Sequence, residues 1–124
     1  MENPVFRRKI YKEILEWKEE RSEKYALLIK GARRVGKSTI VEEFAKKEFK
    51  SYILIDFAHT SKEITGLFDD MYNLDFFFLQ LQQFTGVRLY EKESVIIFDE
   101  VQLFPRARQA IKYLVADGRY KYIE

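Results

Sequence analysis

The chain has 124 residues, enough for one domain with a modest core. Hydrophobic residues make up 47% and charged residues 34%, an ordinary globular balance, and a net charge of +2 gives no argument for nucleic acid or membrane binding. There is no cysteine, hence no disulfide framework or thiolate metal site, and no apolar run fit for a signal core or a spanning helix, so a soluble cytoplasmic protein without a membrane partner is expected.

Residues 6–20 place Phe6, Ile10, Ile14 and Trp17 at helical spacing, which predicts a helix packed against a sheet. A polar run, 19–24, links it to Tyr25-Ala26-Leu27-Leu28-Ile29, a short apolar run of buried-strand type. Next comes Gly31-Ala32-Arg33-Arg34-Val35-Gly36-Lys37-Ser38-Thr39, which meets the pattern G-x-x-x-x-G-K-[ST]. Two glycines let the backbone curl so that successive N–H groups point inward, and a helix starting there adds its positive end. In such a phosphate cradle, Lys37 reaches the outer phosphates and the Ser38 hydroxyl meets Mg²⁺. The helix itself is predicted over 39–47, with Ile40, Val41, Phe44 and Ala45 on its buried face.

Tyr52-Ile53-Leu54-Ile55-Asp56-Phe57 reads as a second buried strand. Thr60-Ser61-Lys62-Glu63 has the form of a capping box, which predicts a short helix. After a break at 69–73, Leu74, Phe77, Phe78, Leu81 and Phe84 mark an apolar helix ended by Gly86; the triple Phe76-Phe77-Phe78 reads as buried face rather than as an aromatic platform. Val95-Ile96-Ile97-Phe98 is a third strand running into Asp99-Glu100. Pro105 suits the first turn of a helix that buries Ala107, Ala110, Ile111, Leu114 and Val115 and ends at Gly118. Tyr120-Lys121-Tyr122-Ile123-Glu124 starts a fourth strand.

Alternating strands and helices predict an α/β fold with a parallel sheet, whose ligands bind at the carboxyl ends of the strands. The cradle follows the first strand and Asp99-Glu100 the third, so both fall on one rim. Asp99 would then hold Mg²⁺, and Glu100 would orient and deprotonate the water that attacks the γ-phosphate. Asp56 ends a strand on the same rim, as site lining or as a structural turn. His59 is the only histidine, which argues against a metal role. Arg33 and Arg34 offer phosphate or DNA contacts, but the bare composition does not support nucleic acid.

GARRVGKST followed by VIIFDEVQLFP resembles the AAA-like P-loop ATPases of archaea and bacteria, the additional-strand class with a catalytic glutamate. The resemblance spans nearly the whole chain. It implies a three-layer P-loop NTPase core, ATP and Mg²⁺ as cofactors, and ATP hydrolysis as the activity. It assigns Lys37 and Glu100 to catalysis, 31–39 to nucleotide binding, and Ser38 and Asp99 to the metal. It also implies a sheet ordered fifth, first, fourth, third, second strand. Against that pattern the sequence is the N-terminal part of an ATPase module: 1–24 a helix and link, 25–124 an incomplete nucleotide-binding core truncated after the fourth strand. A sensor residue, a fifth strand and an arginine finger are expected elsewhere, and the finger alone is worth about 10³–10⁵ in rate. Weak hydrolysis, marginal stability and homo-oligomer formation through an open sheet edge or ATPase ring contacts follow as expectations.

Two other readings share the cradle. A nucleotide-dependent interaction module would bind without turnover. A small-molecule kinase would need no glutamate beside Asp99, and a solvated helix face and a strand entry account for Arg106, Arg108 and Arg119 more simply than a lid and substrate arginines do. A GTPase is disfavoured, because no N-K-x-D motif is present.

Overall fold

The computed structural model describes residues 4–29 and 37–124. Helix α1 spans Pro4–Glu20, and its inward stripe buries Ile14 and Trp17. The Trp17 indole N–H donates to the Tyr25 carbonyl at 2.8 Å, which satisfies the buried ring and fixes the link between helix and sheet. Helix α2, Lys37–Glu48, begins two residues earlier than the apolar spacing alone predicts and buries Ile40, Val41, Phe44 and Ala45. Tyr11 packs edge-on against Phe44 at 4.9 Å and donates its hydroxyl to Glu48 at 2.6 Å, joining α1 to α2.

Strands β1 (Ser51–Asp56), β2 (Ser94–Asp99) and β3 (Lys121–Ile123) form a parallel sheet in that order. The register runs from Ser51 opposite Ser94 to Asp56 opposite Asp99, and from Val95 opposite Lys121 to Ile97 opposite Ile123. β2 is buried on both faces, as its unbroken apolar run requires of a central parallel strand. Its side chains alternate: Val95 and Ile97 join a core with α1 and α2, while Ile96 and Phe98 join a second core on the opposite face. That second core is roofed by α3 (Lys62–Leu67), α4 (Leu74–Thr85) and α5 (Pro105–Asp117). The result is an α/β fold of three layers, helices on both faces of a parallel sheet.

The expected first strand is present only in part. Leu27 makes one parallel bridge to Ile123: the Leu27 N–H donates to Tyr122 at 2.9 Å, Glu124 N–H donates to Leu27 at 2.8 Å, and Ile29 N–H donates to Glu124 at 2.9 Å. β3 is three residues long, so the ladder it supports is equally short, and Tyr25 and Leu28 remain exposed. Segment 25–29 nonetheless lies beside β3, and β3 separates it from β2. In chain order the sheet reads second, third, fourth, first, as the resemblance implies.

Several local expectations are corrected. The helix at 62–67 is capped by Ser61 rather than by Thr60; the Ser61 hydroxyl accepts from Ile64 N–H at 3.4 Å, one residue along from the T-x-x-E frame. Asn73, read as part of a break, caps α4 by accepting from Phe76 N–H at 3.1 Å. Phe84 and Phe76 are exposed at 46% and 52%, because α4 carries more apolar residues than its inner face, filled by Phe77, Phe78 and Leu81, can cover. The remaining helix ends follow the sequence: Gly86 and Gly118 close α4 and α5 with φ of 71° and 81°, the left-handed conformation that favours glycine. Val115 is half-buried rather than buried.

Candidate functional site

The carboxyl ends of the strands make one rim. Asp99 is the last residue of β2 and faces Asp56, the last residue of β1, across the ladder. The ladder continues one step further, with Phe57 N–H donating to the Asp99 carbonyl at 3.0 Å. Both acids are therefore fixed at their backbones by sheet pairing.

The Asp56 carboxylate accepts from Ala58 N–H at 2.9 Å and meets His59 Nδ1 at 2.9 Å, so it closes the turn that leaves β1. This favours the structural reading of Asp56. The His59 side chain is 81% exposed, and among the described residues no group of three His, Cys, Asp or Glu is placed to hold a metal.

Glu100 adopts φ 58° and ψ 38°, left-handed backbone without a glycine. Such a conformation costs on the order of 1 kcal/mol or more and persists only where neighbours enforce it. Here they do. Val101 is buried immediately afterwards, a 3₁₀ turn at Val101–Leu103 follows, and Phe104 stacks on Phe57 with ring centroids 5.6 Å apart. The chain reverses at Glu100 because its successors return to the core, and the glutamate is left on the rim. Gln102 Nε2 donates to the Glu100 carboxylate at 2.8 Å. Sequence reasoning missed Gln102, since no spacing rule marks a glutamine two residues after a strand-end glutamate.

The glycine-rich run expected to cradle phosphate falls between Ile29 and α2 in the sequence. Gly31, Ala32, Arg33, Arg34, Val35 and Gly36 lie outside the described residues. They connect Ile29, beside Glu124 on the rim, to Lys37 and Ser38, the first two residues of α2, with exposed Thr39 third. The unpaired N–H groups and positive end of a twelve-residue helix are thus adjacent in sequence to the glycine-rich run. Arg106, Arg108 and Arg119 are each held in ion pairs, with Asp69, with Glu124 at 3.6 Å, and with Asp75 and Asp117 at 2.5 and 3.3 Å.

A family model described as an AAA domain matches residues 23–124, which includes the glycine-rich run, both rim acids and every described strand. The chain belongs to this AAA domain family. No curated protein and no solved structure gives a match. As an AAA domain the chain is a nucleotide-binding module of the P-loop ATPase type. Helix α1 lies before the matched span, and no described helix is long and apolar enough to cross a membrane.

Proposed function

We propose that this AAA domain binds Mg²⁺–ATP across the strand-end rim and hydrolyses it. The observation that carries the reading is the placement of β3 between segment 25–29 and β2, which puts the exit of Ile29 and the end of β2 on one rim. In this reading the N–H groups of 31–36 and of the first turn of α2 cradle the phosphates, with Ala32, Arg33, Arg34, Val35 and Thr39 lining them. Lys37 neutralises charge on the outer phosphates. Ser38 and Asp99 are hard oxygen donors, the set that suits Mg²⁺, which keeps several waters and needs one or two protein oxygens beside substrate phosphates. Bound there, Mg²⁺ supplies charge neutralisation on the transferred phosphoryl group. Glu100 orients the attacking water and takes its proton.

Calorimetry of Mg²⁺–ATP binding to the chain and to Lys37→Ala, with phosphate release followed in parallel, tests the proposal. Binding by the parent that is lost in Lys37→Ala supports the cradle. Phosphate release without an added acceptor separates hydrolysis from kinase chemistry and from a binding module without turnover. No binding by either protein would sink the reading for this chain.

A further inference from the structure

At the other end of the sheet, where β2 and β3 begin, Lys121 is 6% exposed inside a three-residue strand buried throughout. The one buried side-chain polar atom without a partner among the described residues is the Tyr122 hydroxyl, so the Lys121 ammonium opens onto solvent. It borders a cleft of about 370 Å³ whose wall also carries Lys18, Arg21, Lys24 and Lys92. Three carboxylates, Glu19, Glu20 and Glu23, share that wall, so cationic charge exceeds anionic there.

The cleft is held in shape. Lys18 lies over the Phe49 ring at 5.2 Å, and the buried Ser22 hydroxyl donates to the Lys18 carbonyl at 2.6 Å. Lys92 has left-handed backbone, φ 67°, and its N–H donates to the Arg119 carbonyl at 2.7 Å. A charged side chain this deep in a strand is costly, and a hydrophobic one would serve a central strand better. Burial lowers the Lys121 pKa; Glu23 opposes the shift, and Lys92 and Lys18 add to it. Each of these costs falls when an anion enters.

We propose that this cleft binds a small doubly charged oxyanion of the phosphate type, with Lys121 at its floor and Lys92 and Lys18 at its sides. The volume is enough for roughly ten waters, so a phosphomonoester fits as well as the bare ion. The site is separate from the strand-end rim, and it does not depend on the nucleotide reading.

The test uses the Lys37→Ala chain, so that the glycine-rich run does not contribute, titrated with inorganic phosphate at constant ionic strength. The readouts are lysine side-chain nitrogen NMR and Tm. The expected result is a saturable shift of the Lys121 and Lys92 signals and a rise in Tm. Lys121→Met is expected to weaken phosphate at least about tenfold, the worth of one charged hydrogen bond, and to raise Tm in phosphate-free buffer. A response that never saturates, or an affinity unchanged by Lys121→Met, overturns the proposal. Should Lys121→Met fail to fold, the exposed Lys92→Ala decides in its place: weakened phosphate binding supports the site, and unchanged binding overturns it.

Discussion

Asp56 and Asp99 stand opposite each other at the carboxyl ends of adjacent parallel strands, and the Asp56 side chain closes a turn through Ala58 N–H and His59. Two identical carboxyl groups on one rim are therefore predicted to fail differently. Asp56→Ala loses turn hydrogen bonds and is expected to destabilise the fold by about 1 kcal/mol, with Mg²⁺–ATP affinity little changed. Asp99→Ala is expected to lose Mg²⁺-dependent affinity. Chemical denaturation and calorimetry on the two variants check the pair, and the idea fails if their effects are interchanged.

Glu100→Gln is expected to retain Mg²⁺–ATP binding and to lower phosphate release by about 10²–10⁴, the usual worth of a general base. Because Gln102 holds the Glu100 carboxylate at 2.8 Å, Gln102→Ala is expected to change the pH profile of release without abolishing it. A profile superimposable on that of the parent would remove Gln102 from the account.

Tyr122 is 2% exposed, and its hydroxyl has no hydrogen-bond partner among the described residues. Tyr122→Phe deletes that buried oxygen and leaves the ring against Phe98. A gain of about 1 kcal/mol in unfolding free energy is expected, measured by urea denaturation. A loss of stability would show that the hydroxyl has a partner.

The Tyr11 and Tyr52 hydroxyls donate to Glu48 and Glu42, each at 2.6 Å, and these bonds with burial and the nearby carboxylate raise both pKa values to about 12. The folded value lies above the unfolded value of 10, so the stabilisation is complete below pH 10 and is lost as pH rises towards 12. Tyr11→Phe and Tyr52→Phe are each expected to flatten the alkaline fall in Tm across that window. Identical slopes in parent and variants would refute the assignment.

Segment 25–29 pairs with β3 on one side, and Tyr25 and Leu28 are 63% and 45% exposed. Concentration-dependent self-association through this edge is expected, and Leu28→Lys is expected to reduce it, as charged residues do on open edges. Sedimentation velocity over a concentration series decides the matter. Association that Leu28→Lys leaves untouched places the contact elsewhere.

Elements whose local chemistry agrees with their burial were legible in the sequence. β2 is continuous and apolar, and α5 is bracketed by Pro105 and Gly118. Where two neighbouring residues offered the same chemistry, the choice was geometric: Thr60 and Ser61 both carry a capping hydroxyl, and only Ser61 lies one position ahead of the first helical residue. Segment 25–29 was legible as apolar, but its regularity depends on the length of β3, a property of a distant partner. For the site, Asp99 and Glu100 were placed by the strand that precedes them. The left-handed turn at Glu100 was not, because it is imposed by Val101 and Phe104 returning to the core.

The bridge from Leu27 to Ile123 joins the segment after α1 to the last strand of the described chain. During synthesis, Leu27 must wait until the chain has emerged as far as Tyr122 before its hydrogen-bonding partner exists. The two halves of the rim consequently come together late, through a contact of long sequence separation, and such contacts slow folding because loop closure precedes their reward. Until then segment 25–29, which leads into the glycine-rich run, is paired with no strand.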